Sequence, residues 1–133
     1  GLAAGDLYSR SGDSRHLRTL RRAVSAARDK WGSSHTLCHG DFSLWELLAR
    51  AEKWLPEDRR MDSADPAAQV VSAIEEHRGI VGGMARDAFT PGLMTGLAGA
   101  IHSLNRMHPD CTLPSPLLLE RRAGSSHRQR QSA

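Results

Sequence analysis

Between Ser14 and Trp31, apolar residues recur at Leu17, Leu20, Val24, Ala27 and Trp31. That three-or-four spacing lays them along one face of a helix with arginines opposite. Elsewhere the two-residue alternation of a half-buried strand is almost absent. The one short apolar run that reads as extended, Leu113–Leu119, is broken by Pro114 and Pro116. The predicted fold class is therefore all-α.

The remaining helices follow from their punctuation. Leu2, Ala3 and Leu7 predict a short first helix stopping at Ser11-Gly12, with Asp13 or Ser14 placed to cap the next and the two forming an antiparallel pair. From Phe42 to Leu55, apolar residues face more than one side, which predicts a well-buried helix ending before Pro56. Glu57–Asp65 reads as a polar loop. Asp65-Pro66 is a cap followed by proline at the first helical position, and it opens a helix through Val70 and Ile74 to His77, ended by Gly79. Gly79–Gly92 reads as irregular. A last helix is predicted over Leu93–Met107, where Gly92, Gly96 and Gly99 imply close packing, because glycine disfavours a helix unless another backbone must approach. With no strand before them, these glycines do not suggest a phosphate loop.

Glycine also heads three apolar helices, at Gly1, at Cys38-His39-Gly40 and at Pro91-Gly92, with more amphipathic helices between. Such an alternation suits an α/α toroid, although an irregular bundle reads the same way.

A length of 133 residues suits one core. The net charge of +3 invites a nucleic-acid reading, but Arg121, Arg122, Arg128 and Arg130 all lie near the end; 18 basic residues less these four is 14, against 15 acidic. The body is near neutral, and the tail has no aromatic platform, so no nucleic-acid partner is expected. Residues 121–133 are too polar to bury a core and are expected to be disordered, leaving 1–120 as the domain. With neither a signal peptide nor an apolar run long enough to span a membrane, the expected location is cytoplasmic, and a bridge between Cys38 and Cys111 is not expected. The opening residues, without an initiator Met or a preceding cap, read as a piece of a longer protein. Such a piece should expose apolar helix faces and either associate with itself or be marginally stable.

Chemistry concentrates at Cys38-His39, since thiolate sulfur and imidazole nitrogen are both preferred zinc ligands and a helix N-terminus favours negative charge. From the residues alone, the pair also reads as a buried cysteine beside a capping histidine. A catalytic zinc commonly has three protein ligands, so a third donor must come from elsewhere. Asp41 is placed to cap the helix or to orient the His39 ring. His35 is the one candidate for handling protons, although loop histidines are more often at the surface; His16, His77, His102 and His108 suggest solvated or capping roles.

His35-Thr36-Leu37-Cys38-His39-Gly40-Asp41, followed by Leu44-Trp45-Glu46-Leu47-Leu48, resembles the Cys-His-Gly segment of lanthipeptide cyclases. Thr90-Pro91-Gly92-Leu93-Met94-Thr95-Gly96-Leu97-Ala98-Gly99, with Pro114-Ser115 and Leu117-Leu118-Leu119-Glu120, resembles the closing segment of class II lanthionine synthetases, the LanM enzymes. The opening, Gly1-Leu2-Ala3 to His16-Leu17, resembles the family more loosely, so the likeness covers nearly the whole chain up to Glu120. It implies the C-terminal part of a LanC-like α/α toroid whose central Zn2+ is held by two cysteines and a histidine. Cys38 and His39 would be two of the three, and the other cysteine and the proton-handling residues would lie before Gly1. Cys111 matches no ligand of the family. The implied reaction adds a cysteine thiol of a dehydrated precursor peptide to dehydroalanine or dehydrobutyrine, closing a thioether ring. The implied partners are that peptide and the upstream part of the same toroid, and the chain by itself is expected to be inactive. The alternative is a non-catalytic helical module serving packing or peptide binding. One departure is that Phe42-Ser43 stand where the family usually has Gly-Asn.

Overall fold

Asp13 illustrates how local chemistry sets the helix boundaries: its carboxylate accepts from the Arg15 amide at 2.8 Å and caps the helix that follows. A computed structural model of the chain describes residues 1–28, 30–55, 65–82 and 90–118. It contains helices α1 (Leu2–Ser11), α2 (Ser14–Ala27), α3 (Asp41–Trp54), α4 (Pro66–Glu76) and α5 (Leu97–Met107). No strand occurs among the described residues. The all-α fold is thus as expected, and it is consistent with part of a helical toroid. The tail at 121–133 and most of the loop at 57–65 lie outside the described residues.

Each boundary has a cause. α1 ends where Gly12 adopts φ 66°, and its amide bonds to the Tyr8 carbonyl. Asp65 caps α4 through the Ala67 amide, with Pro66 needing no partner for its missing N–H. At the other end of α4 the left-handed residue is Arg78, at φ 55°, while the Gly79 amide reaches the Ile74 carbonyl.

Two predicted boundaries are corrected. α2 ends at Ala27, and Trp31 lies in the following loop, partly buried against both hydrophobic clusters. An apolar residue at helical spacing from Ala27 reaches the core as well from a loop as from another helical turn. α5 begins at Leu97 and not at Leu93, because Gly96 takes the extended conformation of an N-cap and Leu93-Met94-Thr95 form a turn before it.

The helices bury two clusters on either side of α3. One joins Ala4, Leu20, Val24, Ala27, Leu47, Leu48, Ala51 and Leu55 from α1, α2 and α3. Leu20 is wholly buried there, worth about 1.5–3 kcal/mol. The other joins Leu37, Phe42, Trp45, Val70 and Ala100, tying the loop before α3 to α4 and α5. Phe42, which departs from the family pattern, is therefore a core residue.

Candidate metal-ligand turn

The turn that carries Cys38 and His39 is fixed by its backbone. The Gly40 amide bonds to the Thr36 carbonyl and the Asp41 amide to the Ser34 carbonyl, folding the chain back just before α3. Gly40 is its N-cap, with no side-chain cap. A Cβ on Gly40 would stand 2.2 Å from the Ser34 carbonyl oxygen and 2.5 Å from the Thr36 nitrogen, so only glycine allows this approach.

The turn points its two donors outward. Cys38 and His39 are both exposed, and the Cys38 Sγ lies 2.5 Å from the His39 Nδ1. A thiol and an imidazole whose tips converge in solvent suit zinc, because both are preferred ligands and neither must be unburied to bind. Two ligands of one tetrahedral zinc stand roughly 3.5 Å apart by their usual bond lengths, and exposed side chains can open to that separation. Among the described residues, no group of three His, Cys, Asp or Glu side chains is placed to hold a metal. Cys38 and His39 are two donors whose chemistry suits zinc, with no third beside them among the described residues. Cys111 is a free thiol in the segment after α5 and takes no part.

His35 and Asp41, read from sequence as a loop histidine and a cap, lie beneath this turn. Both are buried, and His35 Nε2 stands 3.5 Å from Asp41 Oδ2. His35 is joined twice to Val81: its amide bonds to the Val81 carbonyl, and its Nδ1 accepts from the Val81 amide, each at 2.8 Å. The Asp41 carboxylate accepts from the Gly32 amide at 3.0 Å and neither caps α3 nor reaches His39. The Gly32 carbonyl in turn bonds to His77 Nε2 at 2.8 Å, and the His77 ring stands edge-on to His35 with centroids 5.6 Å apart. Burial pushes His35 below the ordinary imidazole value against the pull of Asp41, and burial raises Asp41 against the Gly32 amide and His35. This cluster staples the loop to α4. Elsewhere, His102 Nε2 lies 3.2 Å from the Pro114 carbonyl oxygen.

The glycines before α5 repeat the arrangement before α3. The Leu97 amide bonds to the Thr90 carbonyl as the Asp41 amide does to the Ser34 carbonyl, and the two residues of each pair stand at the same spacing. A Cβ on Gly96 would meet the Thr90 oxygen at 2.1 Å and the Gly92 nitrogen at 2.6 Å, atoms corresponding to those that crowd Gly40. Gly99 is tighter still, with the Leu93 carbonyl oxygen 1.8 Å from where its Cβ would be. At Gly96 and Gly99 the close approach is between α5 and its own leading turn. Gly92 has only an ordinary contact with Thr90. The correspondence places Met94 where the first turn has Cys38. The Met94 carbonyl accepts from the amides of both Leu37 and Cys38, at 3.1 and 3.0 Å, so the two turns are joined backbone to backbone. Equal spacing of Ser34 from Gly40 and Thr90 from Gly96 was the sequence signal for this; nothing local announced the Met94 link.

Among the described residues, five helices, three of them led by glycine, with a thiol and an imidazole at the head of the most central one, define an all-α fold with a candidate metal-ligand turn. The family model described as "Lanthionine synthetase C-like protein" matches residues 4–118. The chain belongs to this LanC-like family. No curated protein and no solved structure matches it. No described helix is long and apolar enough to cross a membrane.

Proposed function

We propose that the chain supplies Cys38 and His39 to the zinc site of a lanthionine synthetase cyclase of the LanM type. The reaction adds a cysteine thiol of a dehydrated precursor peptide to the β-carbon of dehydroalanine or dehydrobutyrine, and a proton delivered to the α-carbon completes the thioether. The observation that carries this reading is the convergence of the Cys38 Sγ and the His39 Nδ1 at the exposed head of α3, in a chain of the LanC-like family. Zinc bound there would stabilise the peptide's thiolate near neutral pH. The chain's own part is to hold the two donors: Gly40 sets the turn, and the His35–Asp41–Gly32 contacts fix the loop beneath it.

The remaining cysteine ligand and the group that protonates the enolate belong to parts of the family's toroid other than these residues. His35 does not fill the second role. It is buried, its Nδ1 is occupied by Val81, and its Nε2 faces Asp41. A cytoplasmic setting accords with two free thiols.

Zinc uptake by the reduced protein tests the assignment. The expected result is binding that is lost in both Cys38→Ser and His39→Ala; binding indifferent to these substitutions would remove its chemical basis. A second reading, a non-catalytic helical packing or peptide-binding module, is favoured by the absence of a three-donor group among the described residues. It predicts no zinc uptake.

A further inference from the structure

The Met94 carbonyl is the only described backbone partner of the Leu37 and Cys38 amides, and what fixes that carbonyl lies at the head of α5. We infer that the turn from Thr90 to Gly96 is a positioning element for Cys38, with Gly96 and Gly99 acting through the Met94 carbonyl to set the direction in which the thiol leaves the backbone. This inference rests on the zinc-ligand reading of Cys38.

The chain of contacts is short. Gly99 lets the Leu93 carbonyl lie against α5, and Gly96 lets the Thr90 and Gly92 backbone close over the helix head. The Thr90 carbonyl then accepts from the Leu97 amide at 2.9 Å, clamping the turn at its start. Met94 lies between these fixed points, so its carbonyl has little freedom. It holds two successive amides, which fixes the planes of the two peptides flanking Leu37; with the Gly40 amide bonded to the Thr36 carbonyl holding the chain beyond, both sides of Cys38 are set and the Cα–Cβ direction follows. A Cβ at Gly99 would also stand in ordinary contact with the Leu37 Cβ, at 3.5 Å, so the Leu93 backbone that it displaces lies directly beside the first turn. Groups that orient a metal ligand without touching the metal commonly change affinity by about 10–100-fold.

Amide hydrogen exchange on the metal-free protein reads the two bonds directly, and zinc affinity reads their consequence. In the parent, the amides of Leu37, Cys38 and Leu97 should be protected and open together as denaturant is raised. In Gly99→Ala, protection at Leu37 and Cys38 should fall while α2 amides keep theirs, and zinc affinity should weaken about tenfold or more. Leu20→Ala, which destabilises the opposite cluster, should leave the affinity of the folded protein unchanged. Should Gly99→Ala fail to fold, the joint opening in the parent still decides. Unprotected Leu37 and Cys38 amides in the parent overturn the inference, as does parental zinc affinity in a Gly99→Ala protein that has lost that protection. Absence of zinc uptake by the parent, with joint opening intact, overturns the proposed function instead and takes the metal-directed half of this inference with it.

Discussion

Arg106 of α5 forms a buried ion pair with Glu46 of α3, its guanidinium also standing 5.4 Å from the centre of the Trp45 ring. Glu46 is almost wholly buried and receives Arg50 from its own helix at 3.4 Å, while Arg106 Nε donates to the Leu113 carbonyl. One carboxylate thereby ties α3 to α5 and, through Arg106, to the segment after α5. Removing Arg106 leaves the buried Glu46 carboxylate with only the longer contact to Arg50. Arg106→Met should cost about 3–5 kcal/mol, and the double variant Glu46→Leu, Arg106→Met should recover most of it. Urea denaturation of the three proteins measures this, and equal losses in the single and double variants would refute it.

Gly40 and Gly5 are both crowded, but by different kinds of atom. Backbone surrounds Gly40, whereas Gly5 meets the Trp54 ring, with the nearest carbon 1.9 Å from a new Cβ. Backbone held by hydrogen bonds yields less readily than a half-buried side chain, and alanine gains helix propensity at Gly5 by about 1 kcal/mol. Gly40→Ala should therefore destabilise by about 1–3 kcal/mol or more, and Gly5→Ala by clearly less. The two melting temperatures, taken side by side, check the order.

Arg78 is an exposed non-glycine residue in the left-handed region at the end of α4. Glycine tolerates that conformation without a Cβ clash, so Arg78→Gly should stabilise by about 0.5–1 kcal/mol. A thermal melt showing no gain would mean that the Arg78 side chain offsets its backbone strain.

Burial lowers the His35 value, with Asp41 and His77 the titratable groups facing it. In the unfolded chain it takes up a proton near the ordinary value of 6.5, which the folded protein resists. Its contribution to stability is thus present above pH 6.5 and lost as pH falls from there through the lowered folded value. Asp41 has the opposite sign: its raised value makes the folded state gain on acidification from that value down towards its ordinary 3.8. His35→Asn, whose side-chain oxygen can replace Nδ1 as the acceptor for Val81, should flatten the loss that begins near 6.5. An unchanged profile in chemical denaturation across that range would rule His35 out as its source.

The parts of this structure that were legible in the sequence are those set by neighbours along the chain. Asp13 and Asp65-Pro66 announce helix starts because a cap acts within two or three residues, and the spacing of Leu17, Leu20 and Val24 reports one buried face. Cys38 and His39 stood out because their chemistry is unusual as an adjacent pair, and Gly96 and Gly99 because they sit in a helical pattern they disfavour. The start of α5 was misread because Leu93 and Met94 continue its apolar spacing, and only the crowding at Gly96 and Gly99 shows that the chain turns there. The burial of His35 depends on Val81 and Asp41, and the Glu46–Arg106 pair on two helices distant in sequence. Nothing within a few residues of any of these reports the partner.

The matched turns at Gly40 and Gly96 also bear on how such a protein can vary. Their shape is specified by glycine and by backbone bonds, leaving the side chain two places ahead of each glycine free of any part in building it. That residue is a thiol in one copy and a thioether in the other, on peptides joined by shared hydrogen bonds. A chain assembled from such copies can acquire or discard a donor atom by one replacement, while the scaffold that aims it stays as it was.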